Sequence, residues 1–179
     1  LTCDQIAALT TTQIAAFEAR DIAALSVNAI KGFSSSDLAS FSSQQIAALT
    51  TAQINALALD AIDGLFDTSN NQTARIQFLS NNQIKALNNG QINTLSSTEI
   101  ELIKTESIAA LKTSQFASLD ITALKTDQIQ ALTKLQAMSL TATQVAALSS
   151  TQLGALSTGD LAALSVARIS ALTADQLAG

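Results

Sequence analysis

Apolar residues come along this chain in pairs three residues apart, and the pairs recur every eight: Ile6 and Leu9, Ile14 and Phe17, Ile22 and Leu25. Ser, Thr, Gln and Ala fill the intervals. With each unit set to begin at its Ser or Thr, octads start at residues 2, 10, 18, 26, 34, 42, 50 and 58. They resume at 72, 80, 88, 96, 104 and 112, then at 125, 133, 141, 149, 157, 165 and 173. The consensus is Ser/Thr-x-x-Gln-Ile-Ala-Ala-Leu. Position 8 is Leu, Ile or Phe in every complete copy, and position 5 is Ile, Leu, Val or Phe everywhere except Ala137. Position 7 is usually Ala, Gly or Ser.

Two breaks interrupt the register. Six further residues (66–71) precede the octad at 72, and a shortened unit at 120–124 lacks three residues. Neither break shifts the composition, so residues 1–179 read as a single array of about 22 octads.

A period of eight fits no uninterrupted element. In one continuous helix, eight residues advance about 80° beyond two full turns, so the Ile/Leu stripe would creep round the whole circumference. In a strand, positions 5 and 8 would point to opposite faces. The pattern fits if the helix restarts in every octad. Ser or Thr at position 1 with Gln, Glu or Asp at position 4 is the pairing of a capping box, in which each residue's side chain bonds the other's backbone N–H. The pairs are Thr2/Gln5, Thr10/Gln13, Ser42/Gln45, Thr50/Gln53, Ser80/Gln83, Ser96/Glu99, Thr133/Gln136, Thr141/Gln144, Ser149/Gln152 and Thr173/Gln176. Positions 5 and 8 then share one face of each short helix, and a small residue at position 7 lets neighbouring helices approach. Such helices are too short to stand alone and must stack. The predicted fold is all-α, a superhelical solenoid rod of very short helices, one per octad. A β-solenoid is the alternative, favoured by the Ile, Ser and Thr content and disfavoured by the helix-forming string Gln-Ile-Ala-Ala-Leu.

Composition agrees with a thin, repetitive core. Hydrophobic residues make up 47% of the chain, aromatics only 3%, and all of the latter are Phe. Phe17, Phe33, Phe41 and Phe116 fall at positions 5 and 8 and read as packing, while Phe66 and Phe78 adjoin the insertion and are expected to pin it. Mean hydropathy is +0.30, yet every apolar run is broken far short of the ~20 residues of a membrane span. Net charge is −5, and the nine Lys and Arg are scattered rather than striped, which argues against nucleic-acid binding.

Candidate chemistry is sparse. The absence of His removes His-based triads and most zinc sites, and no glycine-rich phosphate loop exists. No catalytic, cofactor-binding or metal site is expected, and the chain reads as non-enzymatic. Cys3 has no internal partner and no His to activate it. Asp60, Asp63 and Asp67 with Asn70 and Asn71 gather oxygen ligands but lack the alternating spacing of a calcium loop, so they read as a solvated loop. Asn71-Gln72-Thr73 is a glycosylation sequon. Residues 99 to 134 are richer in mixed charge and read as a solvated face.

The opening "LTCDQIAALTTTQIAAF" resembles the tandem segments of very large bacterial repeat proteins of proteobacteria, usually surface-exposed or secreted, and the resemblance runs over essentially the whole chain. It implies an extracellular or cell-surface location and a structural role as rod, spacer, stalk or filament element, with self-association possible. The other reading is a binding scaffold that takes a protein, glycan or ice on its Ser/Thr/Asn surface. "LTATQVAAL" is similar to the repeat start of transcription activator-like effectors, but their longer, basic repeats with base-reading residues have no counterpart here.

Overall fold

A computed structural model describes residues 1–66 and 75–178. Among these residues the chain forms twenty short α-helices, two 3-10 turns and no strand. The protein is therefore an all-α solenoid with one helical segment per octad, and the β-solenoid alternative falls.

The octad at 42 shows how a unit is built. Ser42 is extended (φ −70°, ψ 163°), residues Ser43–Ala48 are helical, and Leu49 is extended again (φ −60°, ψ 126°). Position 8 and the following position 1 are thus two successive non-helical residues, and they make the bend. Position 8 lies past the helix rather than on it, except for Leu65, which is inside the helix Leu59–Phe66. It still joins position 5 in the core because its N–H returns to that residue's carbonyl, as from Leu49 to Ile46 at 3.2 Å. All ten capping pairs read from the sequence form; at Thr50, for example, the N–H donates to Gln53 Oε1 at 2.7 Å and Thr50 Oγ1 accepts from the Gln53 N–H at 3.3 Å. Asn88/Gln91 and Ser34/Asp37 add two more. Where Lys112 or Lys125 stands at position 1, the lysine side chain cannot accept. There the Gln half alone survives, with the backbone N–H donating to Gln115 or Gln128 at 2.8 Å.

The chain forms two compact blocks, Leu1–Leu95 and Ser96–Gly179. Within the first, Ala19–Ala24 packs on Ser43–Ala48, Ser35–Ala39 on Leu59–Phe66, and Thr51–Ala56 on Asn81–Ala86. Within the second, Thr105–Ala110 packs on Thr126–Gln130 and Lys134–Ser139 on Thr158–Ala163. Every one of these partners lies three octads further along the chain. Small residues at position 7 serve this stacking as the sequence implied: a Cβ on Gly64 would sit 2.0 Å from the Ser35 carbonyl oxygen, and one on Gly32 2.3 Å from that of Cys3. Only glycine admits so close a backbone approach.

Position-5 residues form the core, none more than 5% exposed from Ile6 to Leu153. Phe33 meets Phe41 edge-to-face at 5.2 Å, and Phe66 and Phe116 are fully buried. Phe78, by contrast, is 38% exposed and contributes little to the core. Of the insertion at 66–71, Phe66 ends the helix Leu59–Phe66; residues 67–71 lie outside the described residues. The shortened unit is an octad reduced to its positions 4 to 8. Its 3-10 turn Ile121–Ala123 is capped by Asp120, whose carboxylate accepts from the Thr122 N–H at 3.0 Å, and Ile121 and Leu124 remain buried. No helix among the described residues is long and apolar enough to cross a membrane.

Candidate functional site

The polar chemistry of this protein gathers at position 4 of the octad, and half of it points inward. Gln45, Gln53, Gln83, Gln91, Gln128 and Gln136 are at most 4% exposed. Oε1 of each accepts the cap N–H described above. Nε2 of the same amide donates across the solenoid to two backbone carbonyls, those of positions 5 and 8 in an earlier octad. Gln53 reaches Ile22 O at 2.9 Å and Leu25 O at 2.8 Å. Gln83 reaches Ile46 and Leu49 at 2.9 and 2.8 Å, and Gln91 reaches Ile54 and Leu57 at 2.9 Å each. In the second block, Gln128 bonds Ile100 and Ile103 at 2.8 and 2.7 Å, and Gln136 bonds Ile108 and Leu111 at 2.8 and 3.0 Å. Gln45, Gln152 and Gln176 make the same rung.

The recipients are chosen by backbone chemistry. A helix leaves its last carbonyls short of intrahelical donors; the position-5 carbonyl takes only the position-8 N–H of the closing turn, as Ile22 does from Leu25 at 3.2 Å, and keeps a second lone pair for the amide. A buried carbonyl left without a donor costs about 1–3 kcal/mol. Where such a buried Gln stands, one amide reaches both the position-5 and the position-8 carbonyl while capping its own helix, so it joins the start of one helix to the end of another.

In every case the partner is four octads back. Helices pack at three octads and the Gln bonds span four, so each octad lies across the seam between the third and fourth before it. This fixes the number of octads per superhelical turn between those values within each block. The rule also names a residue that the capping pattern does not find. Arg75 is position 4 of the octad at 72, and its guanidinium Nη2 donates to the carbonyls of Leu38 and Phe41, positions 5 and 8 four octads back. Acidic position-4 residues can perform only the capping half. Asp37 accepts from the N–H and hydroxyl of Ser34 at 2.9 and 2.7 Å, and a carboxylate has no N–H to send onward.

The other sequence candidates are not brought together. Cys3 is a half-buried free thiol. Asp60 and Asp63 are exposed on the helix Leu59–Phe66, whereas Asp67, Asn70, Asn71 and the sequon lie outside the described residues. Among the described residues no three His, Cys, Asp or Glu side chains are grouped to hold a metal ion. An open cleft of about 500 Å³ is lined by Phe17, Glu18, Arg20, Ser42, Gln44 and Gln45. Arg20 pairs there with Glu18 at 2.8 Å and with Asp21 at 4.0 Å, both largely solvent-exposed.

No curated protein and no solved structure matches the chain. Residues 14–51 match the family model of the ALTTAQ repeat, so the chain contains that repeat.

Proposed function

We propose that the chain is a structural repeat segment, a rod, spacer, stalk or filament element, of a bacterial cell-surface or secreted protein, and that it is not an enzyme. The observation that carries this reading is the position-4 ladder. Most copies of the position-4 Gln are buried and directed at the protein's own backbone, so the repetition serves construction. The outward positions 2, 3 and 6 vary from octad to octad and present no fixed constellation to a ligand. A polar ladder that joins each helix to another four octads away also suits a segment that transmits length or load.

The test is a panel on the purified chain: glycan-array binding, ice-recrystallisation inhibition and sedimentation velocity. A structural segment gives no specific glycan or ice response and a frictional ratio above that of a compact sphere. A saturable glycan hit or faceted ice growth would overturn this reading in favour of a binding scaffold. Surface location is tested by protease shaving of intact cells, which should remove the segment.

A further inference from the structure

Within the first block, two asparagines stitch neighbouring octads and a third is left over. Asn88 caps its helix through Oδ1, which accepts from the Gln91 N–H at 3.0 Å, and its Nδ2 donates to the Asn55 carbonyl at 3.3 Å. Asn55 in turn donates to the Ala86 carbonyl at 3.0 Å. Asn89, the next residue, is exposed, and its amide meets no partner among the described residues. It is followed by Gly90, the one Asn-Gly pair in the sequence. Packing favours that glycine. A Cβ at residue 90 would come to 3.1 Å from Asn88 Oδ1, the capping acceptor, and to 3.3 Å from Leu59 Cδ2.

The same glycine leaves Asn89 open to chemistry. An asparagine amide is attacked by the backbone nitrogen that follows it, and a side chain on that next residue obstructs the approach. Here there is no such side chain, and the nitrogen is uncommitted. Gly90 lies in the first turn of the helix Asn89–Asn93, where N–H groups have no intrahelical acceptor, and no other acceptor among the described residues takes its N–H. The helix has only five residues, so the backbone rotation that carries the nitrogen onto the amide carbon disturbs little helical structure.

We propose that Asn89 is a self-modification site of the folded chain, deamidating through a cyclic imide with Gly90, and that the modification breaks a rung of the ladder. The Gly90 nitrogen bonds to Asn89 Cγ, and the amide nitrogen leaves as ammonia with the proton lost from the Gly90 N–H. Water then opens the ring. Addition at the side-chain carbonyl gives an aspartate, and addition at the backbone carbonyl gives an isoaspartate whose main chain runs through Cβ and Cγ. No oxidant, reductant or cofactor enters the balance. The two products differ in effect. An aspartate at the first helical position suits the helix dipole and leaves the cap intact. The isoaspartate lengthens the backbone by one atom between Asn88 and Gln91, the two partners of the capping box. It thereby displaces Gln91 from the carbonyls of Ile54 and Leu57, to which its amide donates at 2.9 Å each.

Peptide mapping by mass spectrometry on the full folded chain, aged at mildly alkaline pH, tests the site, with an isoaspartyl methyltransferase to label the isoaspartate. Asn89 should deamidate more than an order of magnitude faster than exposed Asn28, Asn82 and Asn93, which are followed by Ala29, Gln83 and Thr94. The rate should fall with pH, because the nitrogen attacks in its deprotonated form, and should rise only a few-fold in the urea-unfolded chain. Reaction at Asn89 that appears only on unfolding, or that is no faster than at the other three, overturns the site. Asn89→Gln touches no packed atom and should stop the reaction, since its ring would be the less favourable six-membered one. Aged parent chain should then show a lower urea midpoint than fresh chain, while aged Asn89→Gln keeps its own. Equal midpoints in the two aged chains overturn the broken rung.

Discussion

The two irregular stretches of the array invite comparison, because one has gained residues and the other has lost them. Around the insertion, Gln83 and Gln91 find their carbonyls 37 and 34 residues back. Around the shortened unit, Gln128 and Gln136 find theirs 28 and 25 residues back. Where the register is unbroken, as at Gln53, the separations are 31 and 28. The insertion adds six and the shortening removes three, yet the partner is always the fourth octad back. The ladder counts helices, not residues. What an octad must retain is positions 4 to 8: the residue at the helix start, the two apolar anchors and the two carbonyls. What precedes position 4 can be lengthened or cut.

The sharpest way to break this comparison is to delete from the wrong part of an octad. Removing 129–132 takes positions 5 to 8, hence both anchors and both receiving carbonyls, and should abolish cooperative urea unfolding of the block Ser96–Gly179. Removing 141–143 reproduces the natural shortening at 120–124. It should cost about 1 kcal/mol, the value of one N-cap, by circular dichroism in urea.

The next effect separates the two halves of the amide. Gln53→Glu keeps the cap acceptor but loses both donated bonds and sets a carboxylate against the carbonyls of Ile22 and Leu25. A loss of about 3 kcal/mol at neutral pH is expected. Burial raises the folded-state pKa of the new carboxyl above its unfolded value, so the folded state holds the extra proton. Stability should therefore recover as pH falls below neutrality and worsen as pH rises through the folded pKa. The same substitution at exposed Gln5 should be nearly neutral. Equal losses at Gln5 and Gln53 would show that capping is all the residue does.

Arg75 offers a smaller test. Arg75→Ala removes the side-chain donor from the carbonyls of Leu38 and Phe41, of which Leu38 keeps the Phe41 N–H, and should cost about 2 kcal/mol, while Arg75→Gln should restore the ordinary rung to within about 1 kcal/mol of the parent. The smallest contrast concerns glycines. Gly64→Ala must displace the Ser35 carbonyl and should destabilise by about 1–3 kcal/mol. Gly154→Ala meets nothing within 4 Å and should gain about 0.5 kcal/mol from helix propensity. Urea midpoints at constant slope measure both.

Capping was legible because its two partners stand three residues apart, within reach of any local pattern. The ladder was not, although the residues carried a trace of it. Glu caps as well as Gln does, yet Gln stands at position 4 far more often, and the preference is for the half of the amide that points away. Arg75 was invisible for the same reason: a guanidinium caps nothing in its own octad, and its partners lie 37 and 34 residues back. The position of Leu49, past the helix rather than on it, also escaped the periodicity, since i and i+3 look alike in a helix and in its closing turn.

By itself the sequence determined the helix starts, the repeat length, the apolar pair and the all-α class, because each depends on interactions spanning three or four residues. The tertiary structure alone decided which octads meet, and with that the three-to-four octad turn, the doubled role of Gln and the onward bonds of Arg75. Near-identical octads offer many equivalent local partners. Only the geometry of stacking, in which every buried carbonyl at a helix end needs a donor, selects one of them.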